Sequence, residues 1–447
     1  MASDAWAMDT LGGIADGVYG MIDGPFGSNL PASDYTDKGI PVVRGSNLSL
    51  GENRFKSQEF VFVSDATANR LNRSVCRPGD IIFTKKGTIG QTGIIPNDSG
   101  YDRFLLSSNQ MKLTVDPEKA IPLFVYYFVS STASREKILQ DASVTGVPKI
   151  NLAYIRTFPI LLPSLEEQKE IVGILCALDE RIELLQNENL SLEQVARAIF
   201  KSWFVDFDPV RAKAEGREPG GMDAATAALF PSKFSSSAQG QIPIGWHFRR
   251  AGDLMKQSRE SINPLRHSDE LFTHYSLPAF DEGRRPRLEY GREIKSNKTV
   301  IPVECILLSK LNPHIPRVWL PGRKIQENAV CSTEFLVFQP AIGLSVEYLY
   351  CQFVEPGFAQ RFGGLTTGTS NSHQRVKPDY LLEEELIEPT RAVVEAFTSV
   401  THPLFEKINE NIDVQKTFAE LRDTLLPRLI SGKLRVPEAE KLVEAVL

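Results

Sequence analysis

The chain is poor in the residues that build chemistry. Its 447 residues hold five cysteines, Cys76, Cys176, Cys305, Cys331 and Cys351, with no C-x-x-C pair among them. With their odd number, that argues against a structural zinc site and fits reduced thiols in a cytoplasm best. The six histidines all fall in the second half and share no metal-ligand spacing. G-x-S-x-G, H-E-x-x-H and the Walker phosphate loop are absent, and no acidic pair stands in a recognisable catalytic setting. No apolar run approaches the roughly 20 residues of a membrane span, and MASDAWAMDT reads as no signal peptide. What remains is an ordinary globular composition with room for two or three domains.

The strongest pattern present is a seam. Ile171, Leu175, Leu178, Ile182, Leu185, Asn189, Leu192, Ala196, Ile199 and Trp203 follow at 4-3-4-3 spacing, the spacing of a coiled coil. Ser164 followed by Glu166 and Glu167 marks its start, within a stretch running from Pro163 to about Asp208. A buried core helix of a single domain is the plainer reading, and a seam longer than four heptads argues against it.

The seam returns 222 residues later. Val393, Phe397, Val400, Leu404, Lys407, Asn411, Val414, Phe418, Leu421 and Leu425 repeat it, with Lys407 the only break in the apolar rule and the polar Asn retained. Pro389 and Pro403 predict that this second helix starts late or kinks. At an offset of 224, Pro78 meets Pro302, Asp80 meets Glu304, Ile82 meets Ile306, Lys86 meets Lys310 and Ser108 meets Ser332. Nearer the start of each copy, Trp246 answers Trp6. The chain therefore reads as an internal duplication in which framework strands repeat while loops diverge.

Each copy begins with a turn-rich segment of strands and loops, an α/β or α+β pattern. In the first copy, Gly24–Leu30 (GPFGSNL) is a loop, Gly39–Asn47 a strand opening into a polar turn, and Arg77–Gly90 a strand leading into a basic hairpin. Ser107–Val115 is another strand, Pro122–Gln140 a helix, Thr145–Asn151 a loop, and Thr157–Leu162 a last strand. Asp206–Gly240, rich in Pro, Gly and Ser, reads as a linker with a short helix at Asp223–Leu229. Net charge is −6, but between Arg284 and Lys324 ten basic residues face three acidic ones, and between Ala66 and Lys112 seven face three. Such patches can bind phosphates whatever the total charge; equally, they can be solvated faces. Asp206-Phe207-Asp208-Pro209 lacks the second Pro and the aromatic of an amino-methyltransferase loop and reads as a helix end.

Pro163–Glu180 (PSLEEQKEIVGILCALDE), Ala198–Pro219 (AIFKSWFVDFDPVRAKAEGREP), Gln241–Trp246 and Leu421–Leu434 (LRDTLLPRLISGKL) resemble the spacers and domain starts of the DNA specificity subunits of type I restriction–modification systems. The resemblance implies an α/β (α+β) protein in which two target recognition domains are joined by two long antiparallel coiled-coil helices in a pseudo-twofold repeat. The expected layout is a first recognition domain at 1–162, a spacer helix at 163–208, a linker at 209–240, a second recognition domain at 241–386, a second spacer helix at 387–432 and a tail at 433–447. Each domain would read one half of a bipartite site. Two methyltransferase subunits would dock on this chain, and two ATP-driven restriction subunits on that assembly. S-adenosylmethionine, ATP and Mg²⁺ would be used by those partners and not by this chain, which would carry no catalytic site; methylation would fall on the exocyclic amine of adenine.

On that reading the helix from Ile171 to Trp203 spans about 50 Å, at 1.5 Å per residue, or roughly 15 base pairs. Asn189 and Asn411 are expected to meet where the helices cross and to set their register. DNA contacts are expected from Arg44, Asn47, Lys85, Lys86, Thr88 and Lys149 in the first copy. In the second they are expected from Arg284, Arg285, Arg287, Lys310, Asn312, Arg375 and Lys377. Arg and Asn can read guanine and adenine edges, whereas Lys mostly positions on phosphate. Phe200, Trp203, Phe204 and Phe207 form an aromatic patch suited either to methyltransferase helices or, for Trp203, to core packing. Two rival readings stand beside this one: a solitary nuclease or methyltransferase with an appended recognition half, and a coiled-coil adaptor that binds only protein.

Overall fold

A computed structural model of the chain describes residues 6–50, 54–57, 59–142, 149–322, 327–367 and 374–446. Four of the expected loop residues, 145–148, and the basic Arg323 and Lys324 lie outside them, as does His373. The chain forms two compact units: Met1–Ile182 with Lys416–Leu447, and Glu183–Gln415. Both long helices contribute to both units.

The first helix runs unbroken over Leu165–Phe200. Its start is capped as expected, with the Glu167 amide donating to the Ser164 hydroxyl at 3.2 Å. Every expected seam position is buried or half-buried. A π-helical turn at Lys201–Val205 ends it, and Phe207 then adopts a left-handed conformation (φ 57°) that turns the chain into the helix Asp208–Ala214. The stretch read as a linker is packed: Val210, Ala212 and Phe230 are buried, and a hairpin joins Phe234–Ser237 to Gly240–Pro243.

The second helix, Arg391–Leu429, is also continuous; it starts late, as expected, and one expectation about it is corrected. It begins just past Pro389 and carries Pro403 inside without a break. Pro403 and Ser399, whose carbonyl loses its helical partner to the proline, are both exposed, so water can satisfy that carbonyl. The buried stripe is not the expected one. Val400 and Val414 are 44% and 41% exposed, and Lys407 is exposed. Thr401, Phe405 and Gln415 are buried in their place, and Ile408 is half-buried. The spacing Phe397-Thr401-Phe405-Ile408 inserts an extra four-residue step, a local departure from the heptad.

Within the second unit the helices run antiparallel, with Phe200 and Phe397 at 5.9 Å between ring centroids and Asn189 against Asn411. The Nδ2 of Asn411 donates to the Oδ1 of Asn189 at 2.9 Å, so the two expected amides meet. Within the first unit the same sense of pairing joins Arg422 to Asp179 at 2.8 Å and Arg435 to Glu167 at 2.9 Å.

Two sheets of the first unit have counterparts in the second. In the first, an antiparallel four-stranded sheet has the order Met21–Asp23, Gln110–Leu113, Ile81–Thr84, Thr92–Ile94; in the second it is Met255–Ser258, Phe335–Pro340, Ile306–Ser309, Val318–Trp319. A second sheet in each unit is built on a parallel pair, Ile40–Val43 with Phe104–Leu106, and Leu271–Tyr275 with Ala329–Cys331. Three helices repeat as well: Pro122–Ser130, Thr132–Asp141 and Leu152–Arg156 answer Val346–Val354, Pro356–Gly364 and Pro378–Glu383. The single helix expected at Pro122–Gln140 is thus two, broken at Ser131, which caps the second by accepting from the Ser134 amide at 3.3 Å.

The strand register corrects the offset. Gln110 pairs with Thr84 in the first unit and Phe335 with Ser309 in the second, so the framework repeats at 225 residues rather than 224. Lys85, not Lys86, is the counterpart of Lys310. A one-residue slip moves every side chain to the opposite face of a strand, which is why the difference matters.

Candidate nucleic-acid interface

In the first unit, strands Met21–Asp23, Ile40–Val43, Ile81–Thr84 and Phe104–Leu106 all end at one rim, and Gln110–Leu113 begins there. Main-chain bonds knit this rim. The Gly24 amide donates to Gln110, Ser107 to Val43, Lys85 to Asn109 and Ile150 to Lys85, at 2.8 to 3.0 Å. Loops leaving it therefore share one surface. The basic hairpin turns through Gly87 (φ 102°), a conformation that side chains disfavour.

On this rim Arg44, Lys86, Thr88 and Lys149 are exposed. Lys86 and Lys149 face each other across an antiparallel bridge. Directly opposite residues hold their Cβ atoms about 5 Å apart, so two like charges are rooted side by side, and among the described residues no carboxylate pairs with either. An anion between them would relieve that repulsion. Lys85 is placed beside them but is engaged, its Nζ 3.0 Å from the Asp23 carboxylate. Asn47 is fully buried: its Oδ1 accepts from the Arg44 amide at 2.9 Å and its Nδ2 donates to the Lys56 carbonyl at 3.0 Å. It shapes the turn that presents Arg44, and its amide is committed there.

The equivalent rim of the second unit gathers Lys310, Asn312 and Arg375. The Val376 amide donates to Lys310, the Asn312 amide to Gln374, and Leu311 bridges Arg375 where Lys86 bridges Lys149. Here the charge is balanced, because Arg375 grips Glu334 with Nε and Nη2 at 3.0 to 3.3 Å. Asn312 holds a left-handed backbone (φ 49°), and its Oδ1 is buried with no partner among the described residues. Lys377 is exposed, its Nζ 5.6 Å over the Tyr380 ring.

Two expected readers, Arg284 and Arg285, are placed elsewhere. Arg284 sends Nη1 to Glu193 of the first long helix at 2.9 Å and to the Tyr350 hydroxyl at 3.1 Å. Arg285 donates to Gln415 of the second long helix at 2.7 Å, whereas Arg287 stays exposed opposite His274, paired with Glu282. The first two fasten the recognition sheets to the helices. The aromatic patch is a correction of the same kind. Phe200, Trp203, Phe204 and Phe207 are at most 8% exposed, packed with Phe230, Trp246, Tyr348 and Phe397 in the core of the second unit. They are interior because the end of the first helix is where the second recognition sheet buries its apolar face. That leaves them no surface for a partner.

A feature with no sequence signal appears in the first unit. Asp179 accepts from Arg54 Nε at 3.0 Å, Arg422 Nη1 at 2.8 Å and the Tyr127 hydroxyl at 2.6 Å. Burial works against both guanidinium charges, yet Tyr127 and Asp179 hold Arg54, and Asp179 holds Arg422, above the usual arginine range. The Arg54 carbonyl accepts from the Ile94 amide at 3.0 Å, so the clamp connects the helix pair to the sheet behind the rim. Among the described residues no cluster of three His, Cys, Asp or Glu side chains could hold a metal, and no helix is long and apolar enough to cross a membrane.

Comparison with known proteins points one way. The family described as type I restriction modification DNA specificity domain matches residues 27–194. The specificity subunit of the type I restriction enzyme HindI from Haemophilus influenzae is 24% identical over 432 residues, covering 86% of this chain and 92% of that protein. The specificity subunit of type I restriction enzyme MjaIX from Methanocaldococcus jannaschii is 23% identical over 419 residues, 91% of this chain and 89% of that one. The crystal structure of a type I restriction–modification S subunit from M. genitalium has a TM-score of 0.50 at 14% identity, over 96% of this chain and 97% of that one, a likeness of fold.

Proposed function

We propose, from the premise that this chain belongs to the DNA specificity subunits of type I restriction–modification systems, that each of its two units reads one half of a bipartite DNA site through the rim described above. The recognition domains are residues 1–162 and 241–386, as their duplicated sheets support. The observation that carries the reading is the bridged pair Lys86 and Lys149, two exposed cations on one rim with no carboxylate partner among the described residues, and Arg44 exposed on the same rim. A polyanion is the ligand that makes such a pair favourable. On the second rim Lys310, Arg375 and Lys377 take the corresponding part. Arg375 must exchange its Glu334 partner for the ligand.

The chain itself performs no chemistry on this reading. Adenine methylation with S-adenosylmethionine, and ATP- and Mg²⁺-dependent restriction, belong to the two methyltransferase and two restriction subunits that assemble on it in the cytoplasm. In place of the interior aromatics, the first long helix offers a protein partner the exposed apolar side chains Leu184, Leu190 and Val195.

The test is the salt dependence of DNA binding by the full chain with its methyltransferase. Exchanging Lys86 and Lys149 together for glutamine should weaken binding at low salt and flatten the slope of log K against log salt by about one per lost phosphate contact. Unchanged affinity and slope would favour the coiled-coil adaptor. Mapping methylated adenines in DNA from cells holding both subunits would then give the motif; two specified parts with a fixed gap are expected.

A further inference from the structure

Phe26 stands 80% exposed on a rim otherwise given to charge. It is not a loose residue. The strand before it ends at Asp23, whose carboxylate holds Lys85 at 3.0 Å and whose carbonyl accepts from the Ser74 hydroxyl at 3.1 Å. Gly24 is pressed so closely on the rim that a Cβ there would lie 1.9 Å from the Ser107 carbonyl oxygen. The Pro25 that follows is buried. On the far side the Asn29 amide donates back to the Phe26 carbonyl at 2.8 Å, and Leu30 is buried with Val42, Val63 and Leu105. The loop is thus anchored at both ends, and it holds one aromatic ring in solvent two residues from Gly24. Val18 and Tyr19, also exposed, precede the opposite end of the same strand, and the guanidinium of Arg73 lies 5.9 Å from the Tyr19 ring.

Leaving a whole phenyl ring in water is unfavourable, and a rigid mount keeps it from folding back onto the protein. Beside a phosphate-binding rim, the apolar surface within reach is the face of a nucleobase. We propose that Phe26 is a base-stacking residue. On this reading its ring enters the stack of the half-site read by the first unit, opening a base-pair step. The surrounding Arg44, Lys86 and Lys149 hold the backbone while it does so. In the second unit the strand register makes Arg259 and Glu260 the counterparts of Asp23 and Gly24, and Ile262, at the position of Phe26, is half-buried in a strand opposite Lys298. The device therefore belongs to one half-site only. This inference rests on the DNA-reading function proposed above and adds a contact to it.

The experiment uses the full chain bound to its methyltransferase. A randomised duplex library is first selected on the wild-type complex, and 2-aminopurine is then placed at each adenine of the enriched motif. Phe26→Ala is expected to weaken binding about 10- to 100-fold with the salt slope unchanged. It should also abolish the 2-aminopurine fluorescence change at one step of one half-site, while leaving the other half-site as in wild type. Phe26→Tyr should restore both readouts, since the ring and not the loop is what acts. If no motif is enriched, the DNA-reading function fails and this inference with it. If a motif is enriched but Phe26→Ala binds and reports as wild type, the stacking role alone is overturned. An equal loss in Phe26→Ala and Phe26→Tyr would overturn it too, by assigning the effect to loop geometry.

Discussion

Replacing Asp179 by alanine removes an acceptor shared by Arg54, Arg422 and Tyr127. The size of the effect follows from burial. The side chains of Asp179 and Arg422 are each 14% exposed and that of Arg54 28%, so this is an interior network and not a surface pair worth under about 1 kcal/mol. Removing one member of a buried pair leaves uncompensated charge and costs roughly 3 to 5 kcal/mol; here two guanidinium groups and a phenol lose their partner together. For a unit of this size each kcal/mol lowers the melting temperature by about 2 to 4 °C, so a drop of about 6 to 20 °C is expected. Calorimetry of the full chain measures it. Hydrogen exchange should place the loss in Pro122–Ser130 and in the first turns of the long helix after Leu165. Raising the salt should change little, because buried pairs are weakly screened. Replacing Arg54 and Arg422 by methionine and Asp179 by leucine together should recover much of the loss. A single Asp179→Ala change costing under about 0.5 kcal/mol would refute the argument, since that is the level of an indifferent surface substitution.

Two further outcomes are expected. Asn189→Leu or Asn411→Leu alone should cost about 1 to 3 kcal/mol by stranding the other amide, whereas the double change should cost less than the sum; additive losses in a double-mutant cycle would show that the amides do not act as a pair. Burial pushes the Cys305 thiol from 9.0 up to about 12 and the Tyr275 phenol from 10.0 up to about 12, and raises the Cys76, Cys331 and Cys351 thiols as well. Acids raised in the folded state contribute stability that is whole below their unfolded values, so resistance to urea should fall as pH climbs from about 9 towards 12; a flat profile over that range would contradict this.

The first long helix was legible because a periodic apolar seam needs no partner to be seen: Ser164, the alternating spacing and Asn189 are all local. The second was legible in outline only. Its seam shifts after Phe397 because Thr401, Phe405 and Ile408 meet surfaces that no periodicity encodes, and Pro403 is tolerated because it faces solvent. The duplication could be seen in the strands, but an apolar run slides past its copy by one residue with little penalty on paper. Hydrogen-bond register between strands decides that Lys85, and not Lys86, answers Lys310.

For the candidate site, composition pointed to basic loops and hydrogen bonds sorted them. Nothing in the residue types separates Lys86, which faces Lys149 on the rim, from Arg284, which is spent on Glu193. Asn47 and Asn312 both have the chemistry of a base reader, yet the first is consumed by its own turn. By itself the sequence determined that there are two helices, two copies of a mixed framework and no catalytic or metal motif, because periodicity, repetition and residue chemistry are properties of the chain. Only tertiary structure decided which cations are left facing one another, that the aromatic helix end is core, and that Phe26 is held in solvent. Exposure and pairing depend on residues distant in sequence, such as Asp23 with Lys85 and Asp179 with Arg422, whose meeting the chain order does not reveal.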